Sequence, residues 1–196
     1  MQYALLGDLH SHYKCTKSVL EHIKEVAPQA EIIGLGDLFE CTIGKKKAQK
    51  IRNAPVEVAA ILEKEFTNLL TFPSIIGNQE ERIALVTGDK RFLQYENVYE
   101  IENATLMHGH QFDWDEDFNP TFPPIETPLL FFGHSHHAAI YVNGERQAVP
   151  YNKPLSIGEK CYQINVGPVV ENMEWCLYDS EVMSVTFMQA IKFDPE

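Results

Sequence analysis

Asp8, His10 and His12 alternate in Gly7-Asp8-Leu9-His10-Ser11-His12, and four further segments carry the same residue types: Gly36-Asp37, Gly77-Asn78, His108-Gly109-His110 and Gly133-His134-Ser135-His136. The donors are carboxylate, imidazole and amide oxygen, with no thiolate among them. That set suits borderline divalent ions such as manganese, iron, nickel or zinc, and not an iron–sulfur cluster. Glycine beside each segment lets the chain turn sharply and lets backbone approach an ion or a phosphate. Asp8 and His10, two apart at a strand end, can face one ion, as can one imidazole of the His134 and His136 pair. Asp37 is a single carboxylate and would have to bridge if two ions are held. Two ions about 3.5–4 Å apart activate a water and clamp a transferring phosphoryl group. Any one of these segments is an ordinary turn more often than a ligand, so it is their joint occurrence that points to a metal centre.

The elements that must position these residues follow from hydrophobic periodicity. Tyr3 to Leu6, Ile32 to Leu35 and Ser74 to Ile76 are short apolar runs ending at Gly7, Gly36 and Gly77. Between them, Val19, Leu20, Ile23 and Val26 follow the helical period after a cap at Thr16, and Pro55 to Leu70 reads as a second helix with proline in its first turn. Strand alternating with helix predicts a parallel α/β arrangement. The second half is strand-rich: Val98 to Ile101, Ala104 to Met107, Leu129 to Phe132, Ala139 to Val142, Tyr162 to Val166, Glu174 to Tyr178 and Val182 to Met188. Asn143-Gly144 is a hairpin turn signal, and Pro120 to Pro128 reads as a loop. Few helices separate these runs, so a mixed or antiparallel sheet packed on the first is expected. Ligand sites in such sheets form beyond the carboxyl ends of strands, where all five segments fall.

Composition narrows the partners. The 196 residues are 44% hydrophobic and 22% charged, enough for a single domain, residues 1–196, with a real core. A net charge of −12 excludes a bulk electrostatic grip on nucleic acid. The longest apolar stretches, such as Pro128 to Phe132, are far shorter than the ~20 residues of a membrane span, and Met1 to Leu6 has no signal-peptide character. Cys15, Cys41, Cys161 and Cys176 show no CxxC pairing, which suits reduced thiols and a cytoplasmic location.

In this order, Asp8-Leu9-His10, Gly36-Asp37-Leu38-Phe39-Glu40, Gly77-Asn78-Gln79-Glu80, His108-Gly109-His110 and Gly133-His134-Ser135-His136 resemble the blocks of the calcineurin-like metallophosphoesterase superfamily, in its small single-domain prokaryotic phosphodiesterase form. Ile164-Asn165-Val166-Gly167-Pro168 is similar to a segment that follows in such members. The resemblance implies an α/β fold, a four-layer α-β-β-α sandwich of two mixed β-sheets flanked by helices, with the metal site at strand C-terminal ends. It further implies that Asp8, His10, Asp37 and His136 hold one divalent ion and that Asp37, Asn78, His108 and His134 hold a second, with manganese expected first. Asn78 would also contact the phosphate. The implied activity is hydrolysis of a phosphate ester, a small molecule or nucleotide, by a hydroxide bridging the two ions.

One position departs from the pattern. Many members carry histidine after Gly-Asn, where this chain has Gln79. Glutamine cannot donate the proton a poor leaving group needs, an assistance worth about 10²–10⁴-fold. Phosphodiesters or phosphoanhydrides with good leaving groups are therefore expected to be favoured over alkyl phosphomonoesters. His12 is the candidate to donate instead or to contact the phosphate. A phosphomonoesterase, a dinucleoside polyphosphate hydrolase and a non-catalytic scaffold are the alternatives; the scaffold is disfavoured because none of the seven ligand positions is degraded.

Three features lie beside these motifs. Lys45, Lys46, Lys47, Lys50 and Arg52 form a basic cluster, either a solvated face or a rim that guides a nucleotide phosphate. Phe112 to Phe118 is acidic and aromatic, either a surface loop or a lid whose rings stack on a base. His22 is expected on an exposed helix face, and His137 on the side of its strand away from the ligands.

Overall fold

The structure is a computed structural model and describes residues 1–158 and 160–190. The first half runs β1 (Gln2–Leu6), α1 (Tyr13–Val26), β2 (Glu31–Gly34), then α2 (Lys45–Ala48), α3 (Val56–Ala59), α4 (Lys64–Thr67) and α5 (Asn78–Thr87). Strands then dominate: β3 (Val98–Ile101), β4 (Ala104–Met107), β5 (Asp113–Trp114), β6 (Pro120–Thr121), β7 (Leu129–Phe132), β8 (Ala139–Val142), β9 (Glu145–Gln147), β10 (Leu155–Ser156) and β11 (Tyr162–Asn165). The chain continues through α6 (Val169–Asn172), β12 (Glu174–Asp179) and β13 (Ser184–Gln189).

Two mixed sheets result, a five-stranded one in the order β10-β13-β12-β1-β2 and a six-stranded one in the order β3-β4-β7-β11-β8-β9. In the first, β1 runs parallel to β2 and antiparallel to β12; in the second, β7 lies parallel to both β4 and β11. Alternation along each strand decides the layers. Tyr3 and Leu5 of β1, Cys176 and Tyr178 of β12, and Leu129 and Phe131 of β7 share one core between the sheets. Ala4, Leu6 and Trp175, on the other face of the first sheet, pack with Val19 and Ile23 of α1 and Ile83 of α5. Leu130 and Phe132 turn outward from the second sheet beneath Phe112, Trp114, Phe122 and Ile125. The expected fold class, two mixed sheets with helices, is observed.

Local expectations fare differently. Asn143 and Gly144 both take positive φ, 52° and 84°, and join β8 to β9 as a tight hairpin. The helix expected to be capped by Thr16 starts earlier: His12 is the cap, its Nδ1 accepting from Cys15 N at 3.2 Å, and Thr16 is buried inside the helix. Ser74 to Ile76 forms isolated parallel bridges, Ser74 to Gly34 and Ile75 to Glu96, instead of a full strand. Pro73 has no N–H to give, and Gly77 must already turn into α5. The stretch from Pro55 to Leu70 is two short helices with a break at Ala60, which is extended at φ −138° and ψ 147°. Tertiary pairing overrides periodicity here: Thr42 N bonds Ala59 O at 3.0 Å and Ile61 N bonds Glu40 O at 3.2 Å, so the break braces the loop after Asp37. Pro120 and Thr121, expected in a loop, pair as β6 with β5. Among the described residues no helix is long and apolar enough to cross a membrane.

Candidate metal centre

Beyond the carboxyl ends of β1, β2, β4 and β7 lie Asp8 and His10, Asp37, His108, and His134 with His136, while Asn78 is the first residue of α5. Both sheets thus contribute. Asp8, His10, Asp37, His134 and His136 all have left-handed backbone, with φ of 53°, 47°, 50°, 69° and 57°. Side-chain-bearing residues held there cost about 1–3 kcal/mol each and persist only where surrounding structure enforces them. Enforcement is visible: Asp8 N bonds Gly36 O at 3.1 Å, Leu9 N bonds Asp37 O at 2.9 Å, and His134 N donates to Asp8 Oδ2 at 2.9 Å. Gly133 passes so close that a Cβ there would sit 2.8 Å from Asp8 Oδ2.

Two ligand groups assemble. Asp8, His10 and His136 form one and Asp37, His108 and His134 the other, each with donor atoms within 4.8 Å of one another. Asp37 Oδ2 faces both, 3.3 Å from His108 Nε2 and 3.8 Å from His10 Nε2. Its other oxygen accepts from Gln79 N at 2.8 Å, which fixes Asp37 to the start of α5 next to Asn78. Within the first group His10 Nε2 and His136 Nε2 stand 3.1 Å apart. These donor sets fit divalent cations on a structural criterion: Asn78 Oδ1 is buried without a hydrogen-bond partner, a condition that costs free energy unless something fills it.

The imidazoles are aimed by contacts at their far nitrogens, as in metal sites generally. His108 Nδ1 donates to Leu35 O at 2.7 Å, which turns Nε2 toward Asp37. His10 Nδ1 meets Glu40 Oε2 at 2.5 Å, and His136 Nδ1 lies 3.4 Å from Glu171 Oε1. Glu80, wholly buried, accepts from Asp37 N at 3.0 Å, Phe39 N at 2.9 Å and Gly77 N at 2.9 Å, tying the loop of Asp37 to α5. Sequence reading assigned no role to Glu40, Glu80 or Glu171. Glu80 stands three residues into α5 from its cap, the capping-box position, a signal that was present; Glu171 carried none.

Electrostatics follow from packing charges in a dry place. Burial pushes the Asp8 carboxyl up, with Asp37 adding to it. For Asp37 burial acts the same way, but His108 and the Gln79 N–H outweigh it and hold the group below the usual carboxylate range. Burial works against charge on His108, yet Asp37 prevails and raises it to about 10. His134, desolvated and beside His108, is lowered to about 3. Burial and the Asp37 charge raise Glu80 to about 7.

Other residues singled out in the sequence are placed as follows. Gln79 is buried, its Oε1 accepting from Cys41 N at 3.1 Å and from Arg82. His12 is exposed, with Nδ1 spent on the α1 cap. His110 Nε2 lies 3.4 Å from Glu81, and its ring stands 5.3 Å from that of His108. The Phe112 to Phe118 stretch does not present its first rings for stacking: Phe112 is core, and Trp114 is half-buried with Nε1 donating to Gly109 O at 3.0 Å. His22 is half-buried, not exposed, and accepts from Trp175 Nε1 at 3.2 Å. His137 is exposed and bonded to Ser135 O.

Known structures share the architecture. A metallophosphoesterase from Sphaerobacter thermophilus matches with a TM-score of 0.65 at 17% identity, over 98% of this chain and 90% of that one. A hypothetical protein from Pyrococcus horikoshii matches with a TM-score of 0.57 at 12% identity, over 98% of this chain and 89% of that one. These likenesses concern the fold. No curated protein matches the chain. The family model for the calcineurin-like phosphoesterase superfamily domain matches residues 1–173, so the chain belongs to that superfamily, a group of metal-dependent phosphoester hydrolases.

Proposed function

We propose that the protein is a dinuclear-metal phosphodiesterase. Asp8, His10, Asp37 and His136 hold one divalent cation and Asp37, Asn78, His108 and His134 the other, with manganese preferred. The observation that carries this reading is the Asp37 carboxylate, a single oxygen 3.3 Å and 3.8 Å from imidazole nitrogens of the two groups. Two bound cations would supply Lewis acidity, activating water and taking up charge that develops on the phosphate oxygens.

The remaining chemistry belongs to the chain's own residues. Glu40, Leu35 O and Glu171 keep His10, His108 and His136 in the orientation that presents Nε2 to the site. Asn78, at the head of α5, offers its amide to the second group and to a phosphate oxygen. Gln79 moves no proton, because a side-chain amide is not a general acid, and its carbonyl is occupied by Cys41 N and Arg82. Substrates whose leaving groups depart without protonation are accordingly favoured. His12 has only Nε2 left for a substrate contact.

Hydrolysis of bis(p-nitrophenyl) phosphate and p-nitrophenyl phosphate by purified protein with Mn²⁺ tests this. The diester is expected to exceed the monoester in kcat/KM by roughly tenfold, and Asp37→Asn to lose roughly 10³-fold on both. A wild-type protein that turns over the monoester faster makes it a phosphomonoesterase. Full activity in Asp37→Asn removes the dinuclear reading.

A further inference from the structure

A groove opens beside Asn78 between α2 and α5, and its side chains are not accounted for by cation binding. Lys45 and Gln49 of the α2 segment line one wall; Asn78, Arg82 and Leu85 of α5 line the other. On α5 these residues stand at i, i+4 and i+7, the spacing of one helix face, so Arg82 lies one turn, about 5.4 Å, along the axis from Asn78. The groove encloses about 280 Å³. That is room enough for an appended phosphate beside Asn78.

Its charge is locally opposite to that of the chain. Against a net charge of −12, the groove presents Lys45 and Arg82. Lys45 is exposed and has neither an ion pair nor a hydrogen bond among the described residues. It lines the same groove as Asn78. Arg82 donates through Nη2 to Gln79 Oε1, while its Nε is buried and unpaired. The acidic side chain of the groove, Glu81, is drawn to His110 Nε2 at 3.4 Å.

We propose that this groove is a subsite for a second, non-scissile phosphate, held by Lys45 and Arg82 while the scissile phosphate lies beside Asn78. The substrate class is a nucleotide-type ester or anhydride that carries more than one phosphate. The proposal rests on the phosphoesterase reading and deepens it. An ammonium and a guanidinium are the groups that bind phosphate by short, charge-assisted hydrogen bonds. Gln79 becomes a positioning residue: where related sequences place histidine, its carbonyl anchors the guanidinium of Arg82.

Three substrates with one leaving group distinguish the cases: the p-nitrophenyl phosphodiester of thymidine, the same ester with a phosphate on the far sugar hydroxyl, and the p-nitrophenyl ester of the terminal phosphate of ADP. With the Mn²⁺-loaded full chain, at least one doubly phosphorylated substrate is expected to surpass the first in kcat/KM by roughly tenfold, mainly through KM. Which one does so separates an ester phosphate from an anhydride phosphate. Lys45→Ala and Arg82→Gln are expected to erase the preference, whereas Lys47→Ala, which removes the same charge outside the groove, keeps it. Equal kcat/KM on all three, or a preference that survives Lys45→Ala, overturns the subsite and leaves the phosphoesterase reading intact. Calorimetry supplies a readout without turnover: thymidine bisphosphate is expected to bind roughly tenfold tighter than thymidine monophosphate, and Lys45→Ala to abolish the difference. If that difference is found while no ester is hydrolysed, the subsite stands and the phosphoesterase reading falls.

Discussion

Glu40 Oε2 lies 2.5 Å from Nδ1 of His10, so a carboxylate at the end of the Asp37 loop sets the direction of an imidazole that starts from a different strand. Contacts of this kind, behind a ligand, usually govern metal affinity by 10–100-fold. Glu40→Ala is therefore expected to weaken Mn²⁺ binding by about that factor, with Glu40→Gln recovering part of it. Because the Glu40 side chain is 35% exposed, the denaturation midpoint of the metal-free protein is expected to change little. Equal Mn²⁺ affinity in wild type and Glu40→Ala would show that His10 needs no such support.

Gly77 has no room for a side chain. A Cβ there would overlap both the backbone N and Oδ1 of Asp37, and would come within 2.8 Å of Glu80 Oε2. Gly77→Ala must displace either the Asp37 loop or the head of α5, and a cost of about 1–3 kcal/mol is expected from overpacking. Gly158, where a Cβ would meet nothing within 4 Å, is the matched control. Urea denaturation of the two variants checks this; equal stability would mean that the Asp37 loop yields freely.

Proton competition gives the pH dependence. Burial disfavours charge on His108, but Asp37 and Asp8 raise it to about 10 in the metal-free protein. A raised folded-state value means that this group's contribution to metal-free stability is complete below its unfolded value of about 6.5 and is lost as pH rises through 10. A cation that takes the Nε2 lone pair must expel that proton, so Mn²⁺ affinity is expected to rise with pH between 6.5 and 8.5. Calorimetry in buffers of different ionisation enthalpy is expected to record release of about one proton at neutral pH. Binding without proton release would contradict the assignment of His108.

His12 separates folding from binding. As the cap of α1 it is replaceable by asparagine, while alanine should cost about 1 kcal/mol. If its free Nε2 also contacts substrate, both His12→Asn and His12→Ala raise KM several-fold, although only alanine lowers stability. Unchanged KM in His12→Asn reduces the residue to its cap.

Much of this site was legible because its ligands are punctuated by glycine at strand ends, and strand ends are set by short apolar runs. Asp8, Asp37 and the His134 and His136 pair could be placed at the carboxyl ends of strands from that pattern alone, although those strands belong to two different sheets. The supporting contacts were not legible. Glu171 reaches His136 through α6, a four-residue helix with no periodic signal. The break at Ala60 exists because Glu40 and Thr42 pair with the chain there, a long-range demand that overrides the helical spacing of Pro55 to Leu70. Trp114 and Phe112, in a stretch that read equally as a surface loop or a stacking lid, cover Phe132 on the outer face of the second sheet.

The proposed dinuclear centre depends on Asp37 joining two cation sites. Equilibrium dialysis of the full chain against Mn²⁺, followed by metal analysis of wild type and Asp37→Asn, tests it directly. Two ions per chain in the wild type, with both sites weakened together in Asp37→Asn, is the result expected. A wild-type protein that saturates with one ion, or an Asp37→Asn protein that still takes up two with unchanged affinity, would contradict it.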